Sequence, residues 1–164
     1  MRRALDLEGL YAASYRRLVV QLYALCGDVA EAEDAVQEAF VAAIRKRRLL
    51  EQVDNPEAWL RTVAVNRVRA RWRHAAVVRR LQPKVPGPQA PLEIGPDHIA
   101  LIRALSSLDD TARTVVVLHH LAGLGVAEIA GELGLPEGTV KSRLSRARGR
   151  LAELLDEREE WDRA

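Results

Sequence analysis

GLPEGTVKSRLSRARGRL, residues Gly134 to Leu151, opens on a turn signal and runs into a segment carrying Lys141, Arg143, Arg146, Arg148 and Arg150 against one acid, Glu137. Gly134-Leu135-Pro136 interrupts whatever precedes it, because Gly accepts a positive φ and Pro starts a helix better than it continues one. On a helical projection of residues 136–155, Val140, Leu144, Ala147, Leu151 and Leu154 share one face. That face must pack inward. Lys141, Ser142, Ser145, Arg146 and Arg148 then point outward, with Arg143 and Arg150 on the flanks. Short hydroxyl residues among long cations let the helix backbone approach a polyanion closely while the cations reach around it.

The preceding segment tests this reading. Ala130, Gly134 and Val140 fall at the small, turn and buried-apolar positions of a helix-turn-helix. Ala130 must be small where two helices cross, and Val140 anchors the second helix to the first. The basic segment is then a recognition helix for the DNA major groove. Lys141, Ser142, Ser145 and Arg146 are the candidates for base edges, where Arg or Lys reads guanine acceptors, while Thr139, Arg143 and Arg148 suit phosphates. A charge run alone reads more simply as a solvated face. The Ala130, Gly134 and Val140 spacing favours DNA.

The rest of the chain is helical in character. Its 164 residues are 48% hydrophobic, enough to bury a core, and are rich in Ala, Leu, Arg and Glu. β-Branched residues never alternate over the length of a strand. No apolar run approaches the ~20 residues needed to span a bilayer. Cys26 is the only cysteine, so no internal disulfide is possible, and the chain is expected in a reducing cytoplasm. Five prolines (Pro83, Pro86, Pro88, Pro91 and Pro96) fall within Gln82–Pro96, where neither helix nor strand can persist. The expected architecture is all-α, with small helical domains at 1–81 and 97–164 joined by a Pro-rich linker at 82–96.

In the first domain, Leu7, Leu10, Tyr11, Leu18, Leu22 and Leu25 follow helical spacing until Gly27. Asp28 can cap a second helix, about 29–47, that buries Ala32, Ala35/Val36, Ala39/Phe40 and Ala43/Ile44. Asn55-Pro56 starts a third helix, with Asn55 as N-cap and an apolar stripe of Trp59, Leu60, Val63, Ala64, Val68 and Trp72. From Arg61 to Lys84 the chain holds Arg61, Arg67, Arg69, Arg71, Arg73, Arg79, Arg80 and Lys84 and no acid. Cations around Trp72 suit a single strand, since they neutralise phosphates and a flat ring stacks on an unpaired base. In the second domain, helices are expected over about 97–107 and 109–121, before the turn at Gly123-Leu124-Gly125.

Three segments now carry a family resemblance. GLGVAEIAGELGLPEGTVKSRLSRARGRL (123–151) resembles region 4 of bacterial sigma factors of the extracytoplasmic-function group. GDVAEAEDAVQEAFVAAI (27–44) and NPEAWLRTVAVNRVRARWR (55–73) resemble region 2 of the same group. The resemblance implies a promoter-specificity subunit of RNA polymerase, with region 2 at the −10 element and region 4 at the −35 element. It places Asp34, Gln37 and Glu38 on the polymerase-docking surface and Asn66 near a flipped −10 base. Arg67, Arg69, Arg71, Trp72 and Arg73 complete the candidate −10 set. The implied partners are RNA polymerase core, promoter DNA and an anti-sigma factor, with no membrane insertion.

The sequence departs from the family pattern at Ala70, where an acid is common, in SLDDTAR (107–113), which stands where a Leu-Pro pair is usual, and at Gly125, where a Ser cap is common. The last two are expected to cost a little helix-start stability. A free-standing helix-turn-helix regulator is the alternative, but it leaves the acidic second helix and basic third helix unexplained. An adaptor that binds no DNA leaves the recognition helix unexplained. No catalytic, metal or cofactor site is expected: His119-His120 diverge on a helix and lack further ligands at useful spacing.

Overall fold

A computed structural model describes residues 5–78 and 96–162, and every regular element among them is helical. The chain divides into two compact units, Met1–Pro91 and Leu92–Ala164. Except for Pro96, the linker read over residues 82–96 lies outside the described residues, as do Arg79, Arg80 and Lys84 of the basic run.

The first unit is built from α1 (Leu7–Cys26), α2 (Val29–Arg45), the single turn α3 (Arg47–Leu50) and α4 (Pro56–Val78). The starts of α1, α2 and α4 are each capped by a short polar side chain that satisfies an orphan N–H. Asp6 accepts from Gly9 N–H at 2.9 Å, Asp28 from Glu31 N–H at 2.9 Å and Asn55 from Ala58 N–H at 3.0 Å. Gly27, at φ 71°, ends α1 in the left-handed conformation that a side chain resists.

Four alanines give α2 its central place. Ala32, Ala35, Ala39 and Ala43 are fully buried, and small residues at this spacing allow α1 and α4 to close on the same helix. Leu18, Leu22 and Leu25 of α1 and Leu60, Ala64 and Val68 of α4 fill the space around them. Arg17 of α1 ties the outer edge to Glu57 of α4, donating from Nε at 2.8 Å.

Three expectations fail in this unit. The second helix stops at Arg45, short of 47, and Ile44 is 64% exposed although its spacing puts it with the core residues. Ala43 takes the last inward position, and Leu50, brought back by α3, closes the core at that end with 1% exposure. Arg61 also departs from the solvent-facing basic run. It lies one turn beyond Glu57 on α4 and is only 8% exposed, with Nε lacking a partner among the described residues.

The second unit comprises α5 (Pro96–Ser106), α6 (Asp110–Val116), a π turn (Val117–Leu121), α7 (Val126–Leu133) and α8 (Glu137–Asp162). Leu105, Val115, Leu118, Ile129 and Val140 form its core, none more than 1% exposed. Arg113 closes the end of α5 by donating from Nε to Leu105 carbonyl at 2.9 Å and from Nη2 to Leu108 carbonyl at 3.0 Å.

The two departures at helix starts do not leave those starts uncapped. Asp109 accepts from the N–H groups of Thr111 and Ala112 at 3.1 and 3.0 Å, replacing the expected Leu-Pro start with a carboxylate cap. At Gly125, which has no side chain to offer, Glu128 reaches back and accepts from the Gly125 N–H at 2.7 Å.

Candidate nucleic-acid interface

Two surfaces carry the candidate residues, one in each unit. In the second unit, Gly134 ends α7 at φ 65°, Ala130 is 9% exposed and Val140 is fully buried, so the helix-turn-helix spacing becomes helix-turn-helix geometry. Leu144 and Ala147 continue the buried face of α8. Lys141, Ser142, Ser145, Arg146 and Arg148 are exposed on the other side, and Thr139 is half-buried at the start.

Within α8 the polar groups already engage one another. Ser142 Oγ donates to Thr139 carbonyl at 3.0 Å, and Arg146 donates from Nε to Ser142 carbonyl and from Nη2 to Ser142 Oγ, both at 3.3 Å. Arg146 thus lies along the helix in the free protein and must let go of Ser142 to reach a base edge. Arg143 is turned elsewhere. Its Nη1 lies 3.4 Å from the Asp109 carboxylate, and its Nε is buried. One helical residue in the candidate phosphate set therefore braces the corner between α5 and α6.

In the first unit the candidate −10 residues divide between faces of α4. Asn66, Arg69 and Arg73 recur at helical spacing on one face, and Asn66 and Arg73 are exposed. Arg67 and Arg71, also one turn apart, turn toward α2. Both meet Glu38, at 3.5 Å from Arg67 Nε and 2.6 Å from Arg71 Nη2. Arg71 Nη1 also donates to Glu31 carbonyl at 3.3 Å. Trp72 is half-buried.

Asp34, Gln37 and Glu38 all line a groove of about 780 Å³ on α2, whose apolar side is formed by Val41, Trp59 and Val63. Gln37 Nε2 reaches Tyr15 Oη at 3.5 Å. Arg67 borders the same groove, so the candidate docking residues and part of the candidate strand-binding set meet at Glu38. Sequence reasoning missed Arg45 and Lys46, which bring cations to the groove. Their place after the α2 stripe gave no period by which to find them.

The two remaining chemical candidates are quiet. Burial pushes the Cys26 thiol up to about 12, and Sγ lies 3.2 Å from Asp28 carbonyl as a donor. No group of three or more His, Cys, Asp or Glu side chains suited to a metal ion occurs among the described residues. No helix among them is long and apolar enough to cross a membrane.

Comparison with known proteins decides the family. Residues 10–77 match Sigma-70 region 2, and residues 98–151 match Sigma-70, region 4. The ECF RNA polymerase sigma factor SigL of Mycobacterium tuberculosis is 37% identical over 128 residues, covering 73% of this chain and 72% of SigL. The chain belongs to the extracytoplasmic-function (ECF) sigma factors.

The sigma factor is also similar to the RNA polymerase sigma-E factor of Streptomyces coelicolor, at 33% identity over 135 residues, covering 80% of this chain and 75% of that one. Among solved structures, the sigma factor RpoE in complex with the anti-sigma factor NepR from Bartonella quintana matches with a TM-score of 0.73 and 28% identity. That match covers 92% of this sigma factor and 97% of RpoE. The helix-turn-helix lies within the region 4 match, and the α2 groove and basic α4 lie within the region 2 match. Its function is that of a sigma factor, promoter recognition for transcription initiation by RNA polymerase.

Proposed function

We propose that this sigma factor divides its work between residues 1–81 and 97–164, joined by a linker at 82–96. The C-terminal domain reads the −35 element with α8 in the major groove. Lys141, Ser142, Ser145 and Arg146 meet base edges, Thr139 and Arg148 meet phosphates, and Arg143 joins them only on leaving Asp109. The N-terminal domain docks on RNA polymerase through Asp34, Gln37 and Glu38. It holds the −10 strand with Asn66, Arg67, Arg69, Arg71, Trp72 and Arg73.

One observation carries the reading: α8 buries Val140, Leu144 and Ala147 while leaving Lys141, Ser142, Ser145, Arg146 and Arg148 exposed. A helix held by one face and cationic on the other has the form that groove reading requires. The chemistry of transcription then belongs to the polymerase, and this chain contributes binding. An anti-sigma factor is the proposed regulator, by analogy with the RpoE and NepR complex, and the cytoplasm is the proposed site of action.

The test is a pull-down of core RNA polymerase by the full chain, followed by run-off transcription on a library of promoter fragments. Initiation at a defined set of promoters only when the chain is added supports the reading. DNA binding without polymerase association would replace it with the free-standing regulator.

A further inference from the structure

After Val116 the sixth helix widens into the π turn, closed by Ala122 N–H to Val117 carbonyl at 3.1 Å, and Leu124 N–H meets Leu118 carbonyl at 3.0 Å beyond it. Such turns redirect the side chains they carry and recur at functional sites. Here they carry His119 and His120. His119 Nδ1 lies 2.8 Å from Leu124 carbonyl, which can only accept, so Nδ1 bears the proton. The two imidazoles then meet edge to face, with centroids 4.8 Å apart.

His120 completes a link to α8. Its Nε2 accepts a hydrogen bond from Nε of Arg148 at 3.3 Å. Arginine keeps its proton, so His120 must be neutral in this contact, with its own proton on Nδ1. Both side chains are exposed, and the core does not depend on their meeting. What the contact does is restrict a long cationic side chain before any ligand arrives. The terminal nitrogens of Arg148 have no partner among the described residues.

We propose that His120 is a positioning residue for the recognition helix, holding Arg148 in the orientation that meets a DNA phosphate. The inference rests on the reading of α8 as the −35 helix. It also makes the grip respond to pH. The charged or titratable groups facing His120 are His119 on its own turn and Arg148 on α8; partial burial of the ring first, then these neighbours, hold its pKa below the ordinary 6.5. Neutral His120 accepts from Arg148 at neutral pH, and protonation as the pH falls removes the lone pair and sets two cations side by side.

The test measures binding of the full chain to a random-sequence DNA duplex by fluorescence anisotropy, across salt and pH. His120→Ala, His120→Gln, Arg148→Ala and the double variant His120→Ala/Arg148→Ala are compared. Arg148→Ala should weaken binding and lower the salt slope by about 0.9, the signature of one lost phosphate contact. At pH 7.5, His120→Ala should weaken binding about threefold to tenfold, the cost of immobilising one long side chain on binding. His120→Gln should retain affinity, because its amide oxygen accepts in place of Nε2. The double variant should bind no worse than Arg148→Ala, and the coupling between the two substitutions should fade as His120 protonates. Unchanged affinity in His120→Ala beside a loss in Arg148→Ala overturns the positioning role and leaves the −35 reading standing. An unchanged salt slope in Arg148→Ala overturns the phosphate role and the proposal together.

Discussion

Glu38 on α2 accepts a hydrogen bond from Arg71 on α4 at 2.6 Å, with Arg67 one turn away at 3.5 Å from the same carboxylate. One acid thus neutralises two of the cations proposed to hold a single strand. The groups are well exposed, with 45% of the Glu38 side chain accessible, so the cluster should add less than about 1 kcal/mol to stability. Glu38→Gln should leave the melting temperature nearly unchanged and tighten binding of the free protein to a single-stranded oligonucleotide. It should also weaken capture of core polymerase. A fall in single-strand affinity would show that Arg67 and Arg71 serve the fold and not the strand.

Gly149 and Gly134 should respond in opposite ways to alanine. Gly149 lies inside α8 on the outward face with Ser142 and Ser145, and an added Cβ would meet nothing within 4 Å. Gly149→Ala should therefore raise unfolding stability by about 0.5–1 kcal/mol through helix propensity. Affinity for promoter DNA should nevertheless fall, because the methyl group stands where the groove approaches. Gly134, at φ 65°, also has open space around it, but the strain of a left-handed alanine should cost about 1–2 kcal/mol. Thermal unfolding with anisotropy on the same samples separates the two.

Asp109 serves two partners, the orphan N–H groups at the start of α6 and the guanidinium of Arg143. Asp109→Ala should cost about 0.5–2 kcal/mol, the range for a lost N-cap. Asp109→Asn, which still caps, should recover most of it. Equal urea midpoints for the alanine and asparagine variants would mean that the charge toward Arg143 matters more than the cap.

Cys26 gives a pH dependence with a definite sign. Burial holds its thiol near 12 in the folded chain against an ordinary 9.0. A raised folded pKa means that the neutral thiol's contribution is complete below pH 9 and is lost as the pH rises from 9 toward 12. At pH 8 the native protein should react with a thiol reagent far more slowly than the urea-unfolded chain. Equal rates would place Cys26 outside the core.

Much of the fold follows from local rules alone. Asp28 and Asn55 act at helix starts through side-chain oxygens a few residues from the N–H groups they satisfy, Gly134 ends a helix through its positive φ, and Val140, Leu144 and Ala147 share a buried face because a helix repeats every 3.6 residues. The helix-turn-helix was legible for the same reason: its spacing is set within a continuous stretch of chain. Tertiary packing decided which helical flanks remain available to a partner. Arg61 and Arg143 carry the same charge as their neighbours, yet the first is buried on α4 and the second braces Asp109. Glu38 meets Arg67 and Arg71 across a gap in sequence that no helical period connects, and His120 meets Arg148 from a π turn that follows the sixth helix. Periodicity assigns a residue to a face of its own helix, whereas what that face meets depends on how separate helices pack.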